Sequence, residues 1–396
     1  MEFNTNELQK EFRNELINNI LPFWTNKMID NQHGGFFGRI DGNNIVYPQA
    51  NKGAVLNARI LWTFAAAYRT FQNPDYLRIA QRAFDYIQNY FIDRENGGIF
   101  WELDCTGKPV NTKKQTYAQG FALYGFSEFY RATGNKESLK LAIEFFDVIE
   151  KQKDTIYGGY FEAFTRDWMP IDDMRLSEKD ENEKKTMNTH LHVLEPYTNL
   201  LRIWKNDALK FAQRDMITLF VEKILDKKTH HLNLFFGEDW ELKSRAVSFG
   251  HDKEAAWLLF EAAEVLGNED LLEKVKKLSL KIADAACEGL QVDGSMAYEL
   301  TDKYLDTEKH WWVQAETVVG LMYAYKNSGE NEYFEKALKT WQYIKNQIID
   351  AKNDEWIWSR LPDGSINRKD DKAGFWKCPY HNSRMCLEII ELLNKK

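Results

Sequence analysis

Three histidines in this chain have neighbours that suit proton transfer. His192 is followed three residues later by Glu195, and His251 by Glu254, spacings that put each pair on nearly one helix face. His381 lies near the end of the chain, between Tyr380 and Asn382. A histidine changes charge near neutral pH, and a carboxylate beside it fixes its orientation, so such pairs suit general acid–base work. One histidine with one carboxylate could activate water for hydrolysis. Two histidines entering from opposite sides could remove a proton from one face of a carbon and return it to the other, which is epimerisation next to a carbonyl. Arg59 and Tyr117 could then stabilise the oxygens of an enediolate. A metal is a further reading. His190 and His192 lie about 200° apart on a helix and cannot hold one ion from one face. No HExxH pattern occurs, and a site from His192, His251 and His381 on three separate helices stays open. His190 is expected to point into the wall between helices. His33, His230, His231 and His310 are expected to be structural or exposed.

These residues need elements to carry them, and helical periodicity dominates the chain. The pattern predicts twelve helices near 5–30, 51–72, 75–91, 113–134, 136–152, 188–206, 208–226, 250–266, 268–287, 309–328, 331–349 and 379–394. Short turns such as Asn73-Pro74, Gly134-Asn135 and Gly267-Asn268 alternate with long connections carrying glycine and aromatic signals. The long connections repeat. Gly34-Gly35-Phe36-Phe37, Gly97-Gly98-Ile99-Phe100 and Gly158-Gly159-Tyr160-Phe161 are near copies, at steps of 63 and 61 residues. Weaker echoes follow near 233–236, 294–298 and 355–358. Six repeats of two helices predict an all-α (α/α)6 barrel, with short β-hairpins in the long loops on one rim, as a single domain over 1–396. An open superhelix of helix pairs is the competing architecture. Arg59, Tyr117, His192, His251, Glu254, Glu316 and His381 fall near the starts of alternate helices, so one rim would gather them. Trp257 lies about 120° around the helix from His251 and would pack behind such a site. The charged stretch from Asp172 to Lys185 reads as a solvated loop, or as a lid over the cleft.

Composition narrows the partners. Aromatic residues make up 14% of the chain. Most must pack a large core, and a minority could line a sugar cleft, since pockets are commonly aromatic-lined. A net charge of −8 argues against nucleic acid and anionic membrane surfaces. Four scattered cysteines make no disulfide framework. The opening Met1-Glu2-Phe3-Asn4 has no basic and apolar leader. The expectation is a cytoplasmic protein, a monomer or weak homodimer.

The stretches NTHLHVLEPYTNL (188–200), FGHDKEAAWLL (249–259), WWVQAE (311–316) and WKCPYHNSRM (376–385), with Lys52-Gly53 and Arg59, resemble the N-acylglucosamine 2-epimerase superfamily. The final stretch is most similar to the cellobiose 2-epimerases within it. The resemblance implies the same barrel, no metal and no organic cofactor. It implies a disaccharide substrate whose reducing-end glucose becomes mannose, as in cellobiose to glucosyl-mannose or lactose to epilactose. By matched position it implies His251 and His381 as the acid–base pair and His192 as the residue assisting ring opening. It implies Glu254 and Glu316 as orienting carboxylates, with Glu254 holding His251. Arg59, Tyr117, Asn188, Trp312, Trp376 and Asp180 would contact substrate. A mannose or N-acylglucosamine 2-epimerase, an aldose–ketose isomerase, and more remotely an inverting glycoside hydrolase working through Glu254 and Glu316, remain alternatives.

Overall fold

Two kinds of helix alternate along the chain. A computed structural model describes residues 5–394, so the leader reading at Met1–Asn4 lies outside the described residues. The helices are α1 (Thr5–Glu15), α2 (Leu21–Lys27), α3 (Ala54–Phe71), α4 (Pro74–Tyr86), α5 (Thr116–Thr133), α6 (Lys136–Lys151), α7 (Met187–Ile203), α8 (Asp207–Leu219), α9 (Phe249–Leu266), α10 (Glu269–Ala286), α11 (Trp311–Ser328), α12 (Asn331–Gln347) and α13 (Tyr380–Asn394). α1 and α2 form one rod through a wider turn at Leu16–Ile20, so the described residues keep the twelve expected rods. In α3 every residue from Ala54 to Ala67 is buried, and in α5 every residue from Thr116 to Phe129. In α6 burial follows one stripe, Ser138, Leu141, Ala142, Phe145, Phe146 and Ile149, the spacing of a helix with one wet face.

The all-buried helices form the inner wall. α3, α5, α7, α9, α11 and α13 touch in that order, and α13 returns to α3. α4, α6, α8, α10 and α12 each cover the inner helix that precedes them, and α1 covers α13. The ring is closed, which gives the (α/α)6 barrel rather than an open superhelix. No helix among the described residues is long and apolar enough to cross a membrane.

Most of the short turns share local features, although α7 ends on the extended Trp204 and α12 has no side-chain cap. Four inner helices, α3, α5, α9 and α11, end on a left-handed residue, Gln72, Gly134, Gly267 or Gly329. Asn73, Asn135 and Asn268 then cap the next helix through their side-chain oxygens.

The other rim is built differently from a set of separate hairpins. The residues expected as the first turns of inner helices form two-residue strands instead, so α3, α5 and α11 start two to three residues later than the periodicity suggests. Each strand pairs with the loop of the next repeat: Lys52–Gly53 with Glu102–Leu103, Lys114–Gln115 with Ala163–Phe164, and Lys185–Thr186 with Phe235–Phe236. Val247–Ser248 pairs with Glu299–Leu300, Lys309–His310 with Ser359–Arg360, and an Ile40–Ala373 bridge closes the circle. Local hairpins are also present, as at Glu299–Leu300 with Leu305–Asp306.

A buried ion pair locks each of the first three of these loops. Asp30 accepts from the backbone of Gln32 and His33 at 2.9 Å and from Lys52 Nζ at 2.8 Å, and Lys52 also donates to the Gly34 carbonyl. Asp93 with Lys114 and Gly97, and Asp154 with Lys185 and Gly158, repeat the device. The glycine pair is needed for conformation. Gly98 has φ +68°, and a Cβ there would stand 2.7 Å from Gln119 Oε1. In the sixth repeat Asp354 and Glu355 adopt the same left-handed geometry at φ 61° without glycine. Bonds from Trp24, Lys377 and Asn382 to the Glu355 carboxylate hold it there.

Candidate active site

The sixth residues of five inner helices, Arg59, Phe121, His192, Glu254 and Glu316, meet at the centre of the ring with Arg384, the fifth of α13. The Arg59 guanidinium lies 4.2 Å from the Phe121 ring centre, and Phe121 lies 4.9 Å from His192. Two local features of the sequence seat this layer. Pro196 lacks the N–H that would bond the His192 carbonyl, and Gly120 lets α5 approach it: a Cβ there would stand 2.3 Å from that oxygen. Gly250 makes room for Trp312, which would stand 2.7 Å from a Cβ.

All three singled-out histidines are tied by Nδ1. His192 Nδ1 bonds Glu195 Oε1 at 2.7 Å, His381 Nδ1 bonds Glu316 Oε1 at 2.7 Å, and His251 Nδ1 meets Ser248 Oγ at 2.8 Å. A carboxylate only accepts, so His192 and His381 donate from Nδ1 and keep Nε2 as a bare base. Burial pushes His251 and His381 down to about 3, and His192 well below its usual value, so all three are neutral at pH 7. Burial raises Glu254 to about 8. Burial also opposes ionisation of Glu316, but Arg384 and His381 outweigh it and bring that carboxyl down to about 2.

His251 and His381 share a wall. Their ring centres lie 4.7 and 5.6 Å from that of Trp312. Facing them, Arg59 Nη2 donates to Tyr117 Oη at 2.8 Å, and Tyr117 lies 4.9 Å from His192 and 6.0 Å from Trp376. A cleft of about 780 Å³ runs outward from His251 and Asn188, within the 300–1,000 Å³ usual for a small-molecule site. Asp180 lines it too, accepting from the backbone and hydroxyl of Ser177 at 2.8 Å. The 172–185 loop is a wall of this cleft rather than a free solvated loop: its own Met174 and Leu176 are buried, and both line the cleft. Trp376 is half-buried and borders a second hollow of about 270 Å³, with Arg39 and Trp358.

The family described as N-acylglucosamine 2-epimerase (GlcNAc 2-epimerase) matches residues 35–384. This chain belongs to that family. Cellobiose 2-epimerase of Bacteroides fragilis is 53% identical over 386 residues, 97% of this chain and 98% of that one. The solved cellobiose 2-epimerase of Bacillus thermoamylovorans superposes with a TM-score of 0.94 at 40% identity, covering 98% of this chain and 99% of that one. That of Spirochaeta thermophila gives 0.93 at 37% identity, covering 99% and 98%.

In this family member Glu254 does not hold His251, as the expected pairing had it. Its Oε1 accepts from Arg384, its Oε2 has no hydrogen-bond partner, and Ser248 takes the place beside His251. Three residues along a helix, the glutamate side chain turns toward the ring axis, where the guanidinium is. Trp257 lies behind the site, donating from Nε1 to Glu316 at 3.0 Å. His190 fills the wall: its Nε2 accepts from the Tyr160 backbone at 2.9 Å. Glu254, Glu316 and His381 bring possible metal-ligand atoms within 4.8 Å of one another. Arg384 Nη2 bonds both glutamates through Oε1, so a guanidinium already supplies the positive charge between them.

Sequence reasoning missed Ser248 and Arg384. Ser248 sits three residues before His251, a spacing that could have been weighed. Arg384 was visible only as part of the HNSRM string. The aromatic wall makes a prediction: Trp376→Ala should raise KM for a disaccharide by roughly 2- to 10-fold, the worth of one stacked ring, with little change in kcat. Steady-state kinetics with cellobiose checks it, and an unchanged KM removes Trp376 from the binding surface.

Proposed function

We infer that this chain is an isomerase that epimerises cellobiose at C2 of its reducing-end glucose. The reading is carried by one observation: two imidazoles, the buried His381 and the half-buried His251 at the floor of the cleft, both packed against Trp312. It is supported by the relatives of the same name that match nearly the whole chain. The pyranose opens with His192 or His381 moving the hydroxyl and ring-oxygen protons. One of His251 and His381 takes the C2 proton of the open aldehyde. Arg59, whose buried Nε has no protein partner, holds the enediolate oxygens. Rotation about C2–C3 turns the other face, and the second histidine returns a proton. Burial, with the positive charge of Arg59, keeps that second imidazole neutral in the empty site. It takes a proton at Nε2 from solvent water once the anionic enediolate lies beside it, and the first histidine releases the abstracted C2 proton to solvent. Tyr117, Asn188, Trp312, Trp376 and Asp180 bind the sugar in this reading.

The hydrolase alternative fits the carboxylates poorly. An inverting enzyme needs its two carboxyl groups roughly 6.5–9.5 Å apart with water between them. Here Glu254 and Glu316 both bond one nitrogen of Arg384. Four free cysteines fit the cytoplasm, where we place the protein as a monomer or weak homodimer.

NMR product analysis after incubation with cellobiose in heavy water tests the reaction. The expected product is glucosyl-mannose carrying deuterium at C2. Release of glucose would point to hydrolysis, a keto-disaccharide to aldose–ketose isomerisation, and a mannose product without deuterium would rule out the proton relay.

A further inference from the structure

The Arg384 guanidinium lies at the hub of the inner ring and is completely buried. Nη1 donates to Glu195 Oε2 at 2.6 Å and meets the Tyr380 hydroxyl, and Nη2 donates to Glu316 Oε1 at 2.7 Å and to Glu254 Oε1. Glu195 belongs to α7, directly across the ring from α13, and Glu254 and Glu316 belong to the two helices between. Tyr380 Oη in turn donates to Glu195 Oε2. The second oxygen of Glu195 holds His192, and the Glu316 oxygen that meets Arg384 also holds His381. His251 stands outside this network, on Ser248.

We propose that Arg384 is a positioning residue for epimerisation: it fixes the Glu195 and Glu316 carboxylates so that His192 and His381 both carry hydrogen on Nδ1 and present bare Nε2 to the sugar. The proposal rests on the epimerase reading above. The physical reason lies in the planar fork. Only a guanidinium offers donors in two directions at once to carboxylates on different helices, and a lysine ammonium cannot span them. Without the fork, each carboxylate is free to turn from its histidine. The imidazole can then move its hydrogen to Nε2, the atom that must accept a proton. A wrong tautomer with intact packing costs a base of this kind most of its activity.

The test uses Arg384→Lys and Tyr380→Phe, the second removing the two hub bonds of the hydroxyl, to Glu195 and to Arg384, without changing charge. Steady-state kinetics with cellobiose are paired with long-range NMR of protein carrying ¹⁵N in its eight histidines, with signals assigned through His192→Asn, His251→Asn and His381→Asn. Arg384→Lys is expected to lower kcat roughly 100-fold with KM within about threefold, and Tyr380→Phe to lower it by about 5- to 10-fold. In both, His192 and His381 should lose the pure Nδ1–H signature while His251 keeps its own. Should Arg384→Lys fail to fold, Tyr380→Phe carries the same comparison alone. A kcat within about threefold of the parent, unchanged His192 and His381 signals, or a joint shift of all three histidines would overturn the proposal. A parent protein that leaves cellobiose unchanged would sink the epimerase reading instead, and the NMR comparison, which needs no substrate, would still decide the role of Arg384.

Discussion

His381→Asn is expected to lower kcat for cellobiose by at least about 1,000-fold, close to 4 kcal/mol of transition-state stabilisation, and His251→Asn to do the same. Asparagine keeps a side chain of similar polarity that can still bond Glu316 or Ser248, but it offers no base at the position of Nε2. If the rotation about C2–C3 that turns the other face also carries C2 from one imidazole to the second, neither histidine can replace the other. The double variant should then be little worse than either single one, since each loss alone breaks the relay. The two single variants should differ in one respect. The histidine that takes the proton from glucose is needed for deuterium to enter in that direction. The variant that keeps this residue should still exchange C2–H for deuterium without forming mannose. Single-turnover NMR in heavy water reads both quantities. Near-normal turnover in either variant would refute the two-histidine relay.

Lys185→Met is expected to destabilise the fold by roughly 3–5 kcal/mol, the cost of leaving one member of a buried ion pair unpaired. Lys185 Nζ bonds Asp154 Oδ2 at 2.6 Å and the Gly158 carbonyl at 2.8 Å, with no side-chain surface exposed. Methionine fills the volume but satisfies neither. The effect should depend on pH. Burial opposes ionisation of Asp154, but Lys185 and the turn N–H groups outweigh it and hold the carboxyl below its usual value in the parent. That stabilisation is present above the unfolded-state pKa and is lost as pH falls through the folded one. In the variant burial dominates and the folded-state pKa rises, so the penalty is largest at pH 7 and relieved on acidification. Urea unfolding at pH 7 and near pH 4.5 should show the gap between parent and variant narrowing. A gap below about 1 kcal/mol, or one that widens in acid, would show that the pair does not lock the loop.

These two predictions draw on different layers of the sequence. Lys52, Lys114 and Lys185 stand in register before α3, α5 and α7, and Asp30, Asp93 and Asp154 stand in register before the glycine pairs. The repeat was legible through the glycines. Lys52 enters the sequence reading only as part of the family resemblance, Lys185 only as the end of a charged stretch, and Lys114 not at all, because an isolated lysine in a sequence reads as surface. The sixth repeat hid its turn altogether, since Asp354 and Glu355 take glycine geometry under constraint from residues more than 300 positions away, such as Trp24.

The sequence by itself determined the six-fold repeat, the inner and outer helices, and the phase that brings Arg59, His192, Glu254 and Glu316 into one layer. Those follow from periodicity, which is local: residues three or four apart share a face, and burial on one or all faces tells an outer helix from an inner one. Tertiary structure alone decided who bonds whom across the ring. Glu254 is three residues from His251 yet serves Arg384, which is 130 residues away. His381 is oriented from α11, and His192 and His381 are tied through one guanidinium. Helix spacing fixes the direction in which a side chain leaves its own axis. Its partner is fixed by closure of the barrel, where six axes converge and the longest side chains meet at the centre.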